Sequence, residues 1–252
     1  RKNMHLFLVN DDGIDAPGLR ALVRETLARG HQATVCAPAK QQSAASHRIT
    51  LTEPLFVEER DLPGARAFAV SGSPVDCVRL GLLNLVDRPV DLLISGINDG
   101  YNAGMAVHYS GTVGAAMEGA INRLPSVATS LHHQGTPEMI DNLARLTLDW
   151  AERYARSNPP PLQVLNLNAP CVAPQDLKPL VYAPLDTGNF VDGYERRQAP
   201  RAGMYFWLLS GSRTEEPQPG SDMDYLQRGH VTATLIGNPE SLSAERFAAL
   251  GL

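Results

Sequence analysis

Three cysteines in 252 residues are few, and Cys36, Cys77 and Cys171 lie far apart. An odd, scattered set in apolar surroundings argues against a disulfide framework or a thiolate zinc site and suits a reducing cytoplasm. Long hydrophobic runs are missing as well. No stretch nears the roughly 20 apolar residues that span a bilayer, and a strand pattern begins at His5, leaving no room for a secretory leader. Positive charge is not in excess: 22 Lys and Arg against 27 Asp and Glu give a formal net charge of -5. That balance disfavours a nucleic-acid polymer as partner. What remains is an ordinary globular composition, 43% hydrophobic, able to bury a sizeable core.

The segment HLFLV (5–9) is a compact apolar run, predicted as a buried parallel strand. Leu19, Leu22, Val23, Thr26 and Leu27 then mark one face of a helix that ends at Gly30. Further strands are predicted at 33–37, 66–70, 90–95, 126–130 and 163–168, with helices at 75–85, 112–122 and 137–155. This alternation implies right-handed crossovers, hence an α/β fold with a mostly parallel sheet and flanking helices. Beyond about residue 170, Pro and Gly become frequent, and the strands at 204–209 and 230–236 lack helices between them. The segment 185–225 is polar and irregular; it reads as an antiparallel β extension, a hairpin arm used in association with another subunit. The chain thus divides into a core, 1–170, and a C-terminal extension, 171–252, within a single functional domain.

In a doubly wound sheet, ligands sit beyond the carboxyl ends of the strands, where Asp11 and Asp12 follow the first strand. Gly13 permits a tight turn and Pro17 sits near the start of the next helix. The pair suits either a helix cap or a hard cation that cancels the repulsion between two carboxylates. Neither G-x-G-x-x-G nor Asp-x-Asp fits here, since position 15 is Asp and the two acids are adjacent. Ser43, in the loop after strand 33–37, is able to reach a cation or simply be solvated. The stretch 95–119 carries more: Gly96, Gly100 and Gly104 alternate with Asn98 and Asn102, and Ser110-Gly111-Thr112 opens a helix of small residues. A helix N-terminus with free N–H groups and two hydroxyls is an anion site, so the three stretches together describe a cation beside a phosphate. Other polar residues read more plainly: His47, Arg48 and His108 as loop residues, Glu118 as a helix-surface or subunit-contact residue, and 204–207 as packing within the arm.

NDDGIDAPG (10–18), APAKQQSAAS (37–46), GSPVDCV (72–78), SGINDGYNAG (95–104) and YSGTVGAAMEG (109–119) occur in this order. The sequence thereby resembles the survival protein E (SurE) family, through most of residues 4–131 and more loosely over 220–236. The resemblance implies a Rossmann-like core, exchanged C-terminal segments and a homodimer or homotetramer. It further implies a divalent-metal-dependent 5'/3'-nucleotidase that hydrolyses nucleoside monophosphates to nucleoside and phosphate with a metal-activated water. Asp11 and Asp12 take the catalytic positions; Asp11, Asp12, Ser43 and Asn98 take those of the metal ligands; Asn102, Ser110, Gly111 and Thr112 take those that bind phosphate. All proposed metal donors are oxygens, which favours one Mg2+ or Mn2+ per subunit over zinc. The sequence departs at Ala44, where Gly usually follows the metal-site Ser, and at Ser73, where Thr is common. A broader phosphatase or exopolyphosphatase, or a non-catalytic nucleotide or metal sensor on the same fold, are the alternatives.

Overall fold

The computed structural model describes residues 3–188, 190–201, 203–213 and 216–237. Strand β1 (His5–Val9) is buried along its whole length, as a two-sided apolar run requires. Its pleat sends alternate side chains into different layers. Leu6 and Leu8 pack with Leu19 and Leu22 of helix α1 (Pro17–Ala28) and with Leu143 and Leu148 of helix α4 (Pro137–Arg156). Phe7 and Val9 pack instead with Val78 of helix α2 (Pro74–Leu80) and with Val113 and Ala116 of helix α3 (Gly111–Ile121).

The remaining strands are β2 (Gln32–Pro38), β3 (Val57–Leu62), β4 (Ala65–Val70), β5 (Leu92–Asp99), β6 (Ser126–Leu131), β7 (Gln163–Ala169), β8 (Lys178–Tyr182), β9 (Phe190–Gln198), β10 (Met204–Arg213) and β11 (His230–Gly237). The main sheet runs β3-β4-β2-β1-β5-β6-β7-β11-β8. Neighbours from β4 to β7 are parallel, while β3 and β11 run against their neighbours β4 and β7. The chain leaves β1 for β2 on one side and later returns to β5 on the other. The strand order therefore reverses between β1 and β5, where a ligand crevice is expected.

The fold expected from the sequence is the one adopted, with local differences. The edge strand β3 and the peripheral β8 were not anticipated; most of their side chains are exposed, so neither reads as a buried apolar run. Helix α2 ends at Leu80 and continues as a single π-helical turn, Gly81–Leu85. Strand β5 runs on past Ser95 to Asp99, with Asn98 paired to Ser130, although Gly and Asn there read as loop residues. A short helix, α5 (Asp222–Gln227), lies between β10 and β11, where no helix was expected; one and a half turns are too few to show a periodicity. The expected hairpin is present: β9 and β10 form an antiparallel two-stranded sheet apart from the main one. β8 and β11, also from the extension, complete the main sheet. The expected exchange of C-terminal segments falls partly on 238–252, outside the described residues. Among the described residues, no helix is long and apolar enough to cross a membrane.

Helix α4 is fixed by Thr136, whose hydroxyl accepts from Met139 N, and by an ion cluster with α1. Arg29 donates to Glu25, Asp149 and Glu152 at 2.7, 2.8 and 3.0 Å. Burial pushes the Glu152 carboxyl up, but Arg29 and His31 outweigh it and hold it below the usual range. Beneath this cluster Leu148 is fully enclosed. Leu148→Ala is expected to lower the unfolding free energy by about 2–5 kcal/mol, read as a shift of the urea midpoint with the slope unchanged.

Candidate active site

The turn after β1 is made by its own side chains. Asn10, fully buried, donates from Nδ2 to Gly13 O at 2.9 Å, and Gly13 N donates back to Asn10 Oδ1 at 3.2 Å. Gly13 has φ +106, a conformation that side-chain-bearing residues rarely adopt. The closed ring presents Asp11 and Asp12 to different neighbours beyond the end of β1.

Asp11 points into the α2/α3 layer. Thr112 Oγ1 donates to Asp11 Oδ1 at 2.5 Å, and the Thr112 backbone N–H bonds the same carboxylate. Gly111 is small for this reason: a Cβ there would lie 3.1 Å from Asp11 Cβ and 3.2 Å from Asp11 Oδ2. The first turn of α3 therefore already faces one carboxylate, which its unpaired N–H groups and dipole favour. Burial nevertheless dominates: it pushes the Asp11 carboxyl up to about 6, the Thr112 hydrogen bond opposing and the Asp12 charge reinforcing the rise.

Asp12 faces the other layer. Its Oδ2 accepts from Asp99 N at 3.0 Å, and Gln41 Nε2 approaches Oδ1 at 3.4 Å. Burial raises its carboxyl too, the Asp99 N–H holding it down and the Asp99 charge pushing it up. Asp12 and Asn98 line one cavity of about 340 Å³. Asn98 Nδ2 donates to Gly100 O at 2.7 Å, which uses one of its two N–H donors and leaves the amide oxygen as its acceptor.

Ser43 is exposed on its loop, which is tied to the acids through the neighbouring backbone: Gln42 N donates to Asp11 O at 2.8 Å. Ala44 takes φ +55, the left-handed region that Gly adopts more readily. The same loop is fastened to the short 3-10 turn before α3 (Gly104–His108) by Ser46 Oγ donating to His108 O at 2.8 Å, and to α3 by His47 Nε2 meeting Glu118 Oε2 at 2.8 Å. Glu118 is thus not a helix-surface residue. It is 2% exposed and also accepts from Arg79 at 3.0 Å.

Two other expected residues have structural partners. Asn102 Nδ2 donates to Ser130 Oγ at 2.9 Å, and Ser110 caps α3 by accepting from Val113 N at 3.0 Å. Asn166 and Asn168, on β7, were missed by sequence reasoning. Asn168 Oδ1 accepts from Asn102 N at 2.9 Å, and both side-chain amides donate to Asn102 O, at 2.8 and 3.1 Å. Two amides at alternate positions of a buried strand were the available signal. Asp222, also missed, accepts from Gly104 N at 2.8 Å and from Asp186 N at 2.9 Å, joining the 98–110 loop to the C-terminal segment. Ser73 uses its hydroxyl in a capping box with Asp76, and the pair also takes up Thr50 N and Arg48 O.

The crevice thus joins an acid pair, an amide-braced loop and a helix N-terminus at the strand reversal. The family model described as "Survival protein SurE" matches residues 6–190. A protein named "5'-nucleotidase SurE" from Maridesulfovibrio salexigens is 38% identical over 231 residues, 92% of each chain. This chain belongs to the SurE family. A second relative of the same printed name, from Synechococcus sp., is 39% identical over 252 residues, covering 98% of this chain and 96% of its own. The crystal structure of the Sure protein from Aquifex aeolicus superposes with a TM-score of 0.80 at 28% identity, covering 98% of this chain and 100% of that one.

An acid whose folded pKa is raised favours the fold while protonated, and that contribution is lost as pH rises through the folded value. Replacing Asp11 by a neutral isostere removes the loss. Asp11→Asn is expected to raise the unfolding free energy of EDTA-treated protein by up to about 3 kcal/mol at about pH 8. The gain should shrink below pH about 6; denaturant titrations of both proteins across this range check it, and a gain independent of pH would contradict the assignment.

Proposed function

We propose that this SurE-family chain is a metal-dependent phosphomonoesterase that hydrolyses nucleoside 5'-monophosphates, and 3'-monophosphates more broadly, to nucleoside and phosphate. The relatives named 5'-nucleotidase supply the reaction class. The observation that carries it here is the buried Asp11 carboxylate against the first turn of α3, with the Asp12 carboxylate, also raised by burial, next to it at the β1/β5 reversal.

The donor set fits one hard divalent cation, Mg2+ or Mn2+, per subunit. Two carboxylates raised by burial gain from a positive charge between them, and the Asn98 oxygen and Ser43 hydroxyl add neutral oxygen donors of the kind such ions prefer. Asp11, Asp12, Ser43 and Asn98 are the residues that would hold it. When bound, such an ion supplies Lewis acidity toward a phosphoryl oxygen and makes water more acidic.

The protein's own groups do the rest. The Ser110-Gly111-Thr112 turn and Asn102 would receive the phosphate and oppose charge growing on its equatorial oxygens. Thr112 holds Asp11 in place. Asp12 lines the solvent-connected cavity and is the carboxylate we assign to accept a proton from the attacking water. Residues 1–170 serve as the catalytic core, and the extension, 171–252, as the assembly element. Free Cys36, Cys77 and Cys171 support a cytoplasmic setting.

The partner in assembly would be a second copy of the chain. On the β9–β10 ribbon, Phe206, Trp207 and Leu208 are 53%, 59% and 57% exposed, and successive residues project from both faces. A lone two-stranded ribbon is marginal in water, so cover on both faces would stabilise it. Light scattering is expected to give a dimer or tetramer for the wild type and a smaller species for Phe206→Glu. A monomeric wild type at micromolar concentration would sink this part of the reading.

Asp12→Asn is expected to lower kcat on a nucleoside monophosphate by about 10²–10⁴ while the far-ultraviolet circular dichroism stays the same. Phosphate release with and without EDTA is the assay; near wild-type turnover in saturating Mn2+ would overturn the assignment.

A further inference from the structure

Ser43 lies on an exposed stretch of loop, yet the backbone on either side of it is pinned. On one side Gln42 N donates to Asp11 O at 2.8 Å. On the other, Ser46 N donates to Tyr109 O at 3.0 Å and Ser46 Oγ to His108 O at 2.8 Å. Residues 43–45 thus bridge the acid turn and the approach to α3. Ala44 and Ser46 both take the left-handed region, φ +55 and +51. Residues with a Cβ hold that conformation at a cost and keep it only where surrounding contacts impose it.

Helix α3 offers such contacts at two positions one turn apart. A Cβ on Gly114 would lie 2.5 Å from Ser46 O and 3.0 Å from Ser46 C, so the loop backbone rests directly on the helix. Four residues on, along the same face, Glu118 is 2% exposed and its Oε2 meets His47 Nε2 at 2.8 Å. Arg79 and Asn122 donate to the other oxygen, Oε1, at 3.0 and 3.2 Å. Packing of α3 alone does not call for a carboxylate here, because a buried ion pair adds little net stability over apolar residues of similar size. Its placement is accounted for by the hold it gives on the loop.

We infer that Gly114, Glu118 and His47 are positioning residues, which seat the Ser43 loop on α3 and so set the affinity of the crevice for its divalent cation. One helix then fixes three parts of the site: Asp11 through Thr112, the turn at its own N-terminus, and the loop that carries Ser43. The inference rests on the reading of Asp11, Asp12, Ser43 and Asn98 as metal ligands and adds what holds the ligand that comes from mid-loop.

Calorimetric titration of EDTA-treated protein with Mn2+ tests it in wild type, Gly114→Ala, His47→Ala, Ser43→Ala and the double variant Ser43→Ala/His47→Ala. Alanine is the better helix former, so Gly114→Ala disturbs the seat and not the helix. Both seat variants are expected to raise the Mn2+ Kd by about 10–100-fold, as loss of groups that orient metal ligands does. Because they act through Ser43, the double variant should bind no more weakly than Ser43→Ala alone. Wild-type affinity in both seat variants, or losses that add in the double variant, overturns the inference. Hydrogen exchange at the Ser46 amide, which is bonded to Tyr109 O, reads the seat without metal. If Asp12→Asn and Ser43→Ala both keep wild-type Mn2+ affinity, the metal reading alone fails. Faster exchange at Ser46 in Gly114→Ala than in wild type then still supports the seat, and equal exchange counts against it.

Discussion

Burial of two neighbouring carboxylates at the end of one strand is the constraint around which the crevice is built. Desolvation and mutual repulsion both oppose ionisation, and the fold answers with local donors: Thr112 for Asp11, the Asp99 N–H for Asp12. The Asn10–Gly13 ring fixes the turn that presents them, and Gln42 N secures the backbone between them from the adjacent loop. These bonds offset only part of the cost, since both groups remain raised. A site left electrostatically unsatisfied by its own side chains has affinity in reserve for a cation.

The loop that crosses above this pair is held by polar contacts rather than by apolar packing. Asn102 exchanges bonds with Asn168 and receives another from Asn166, while its side chain reaches Ser130. Farther along, Asp222 takes Gly104 N and Asp186 N together. Its carboxyl is raised by burial despite these backbone donors. Asn166 Oδ1 is buried without a hydrogen-bond partner, but the other bonds of the network tie this Gly- and Asn-rich segment to β6 and β7. The same network connects the crevice to residues more than a hundred positions away in sequence, linking extension and core.

How much of this was legible depended on range. β1 was read to the residue because a continuous apolar run has few alternatives, and α4 came within one residue because twenty residues carry a clear amphipathic period. Edge strand β3 and helix α5 escaped, being exposed or too short to show a pattern. Asp11, Gly111 and Thr112 were singled out as separate motifs, and the chain brings them into contact. Their reciprocal fit, with Gly111 small because Asp11 lies against it, depends on a separation of about a hundred residues that spacing cannot reveal. Asp222 was missed for the same reason, whereas Asn166 and Asn168 did leave a signal as alternate amides on a buried strand. Glu118 was misread because its partners, His47 and Arg79, come from other elements.

The turn that parts Asp11 from Asp12 also parts the histories open to them. Asp11 is packed by residues of α2 and α3, whereas Asp12 shares its cavity with residues from α1, β5 and α4. Substitutions behind the first carboxylate alter the phosphate side and leave the opposite wall intact, and those behind the second do the reverse. A lineage is therefore free to drift in what it admits through one layer while selection holds the chemistry constant through the other.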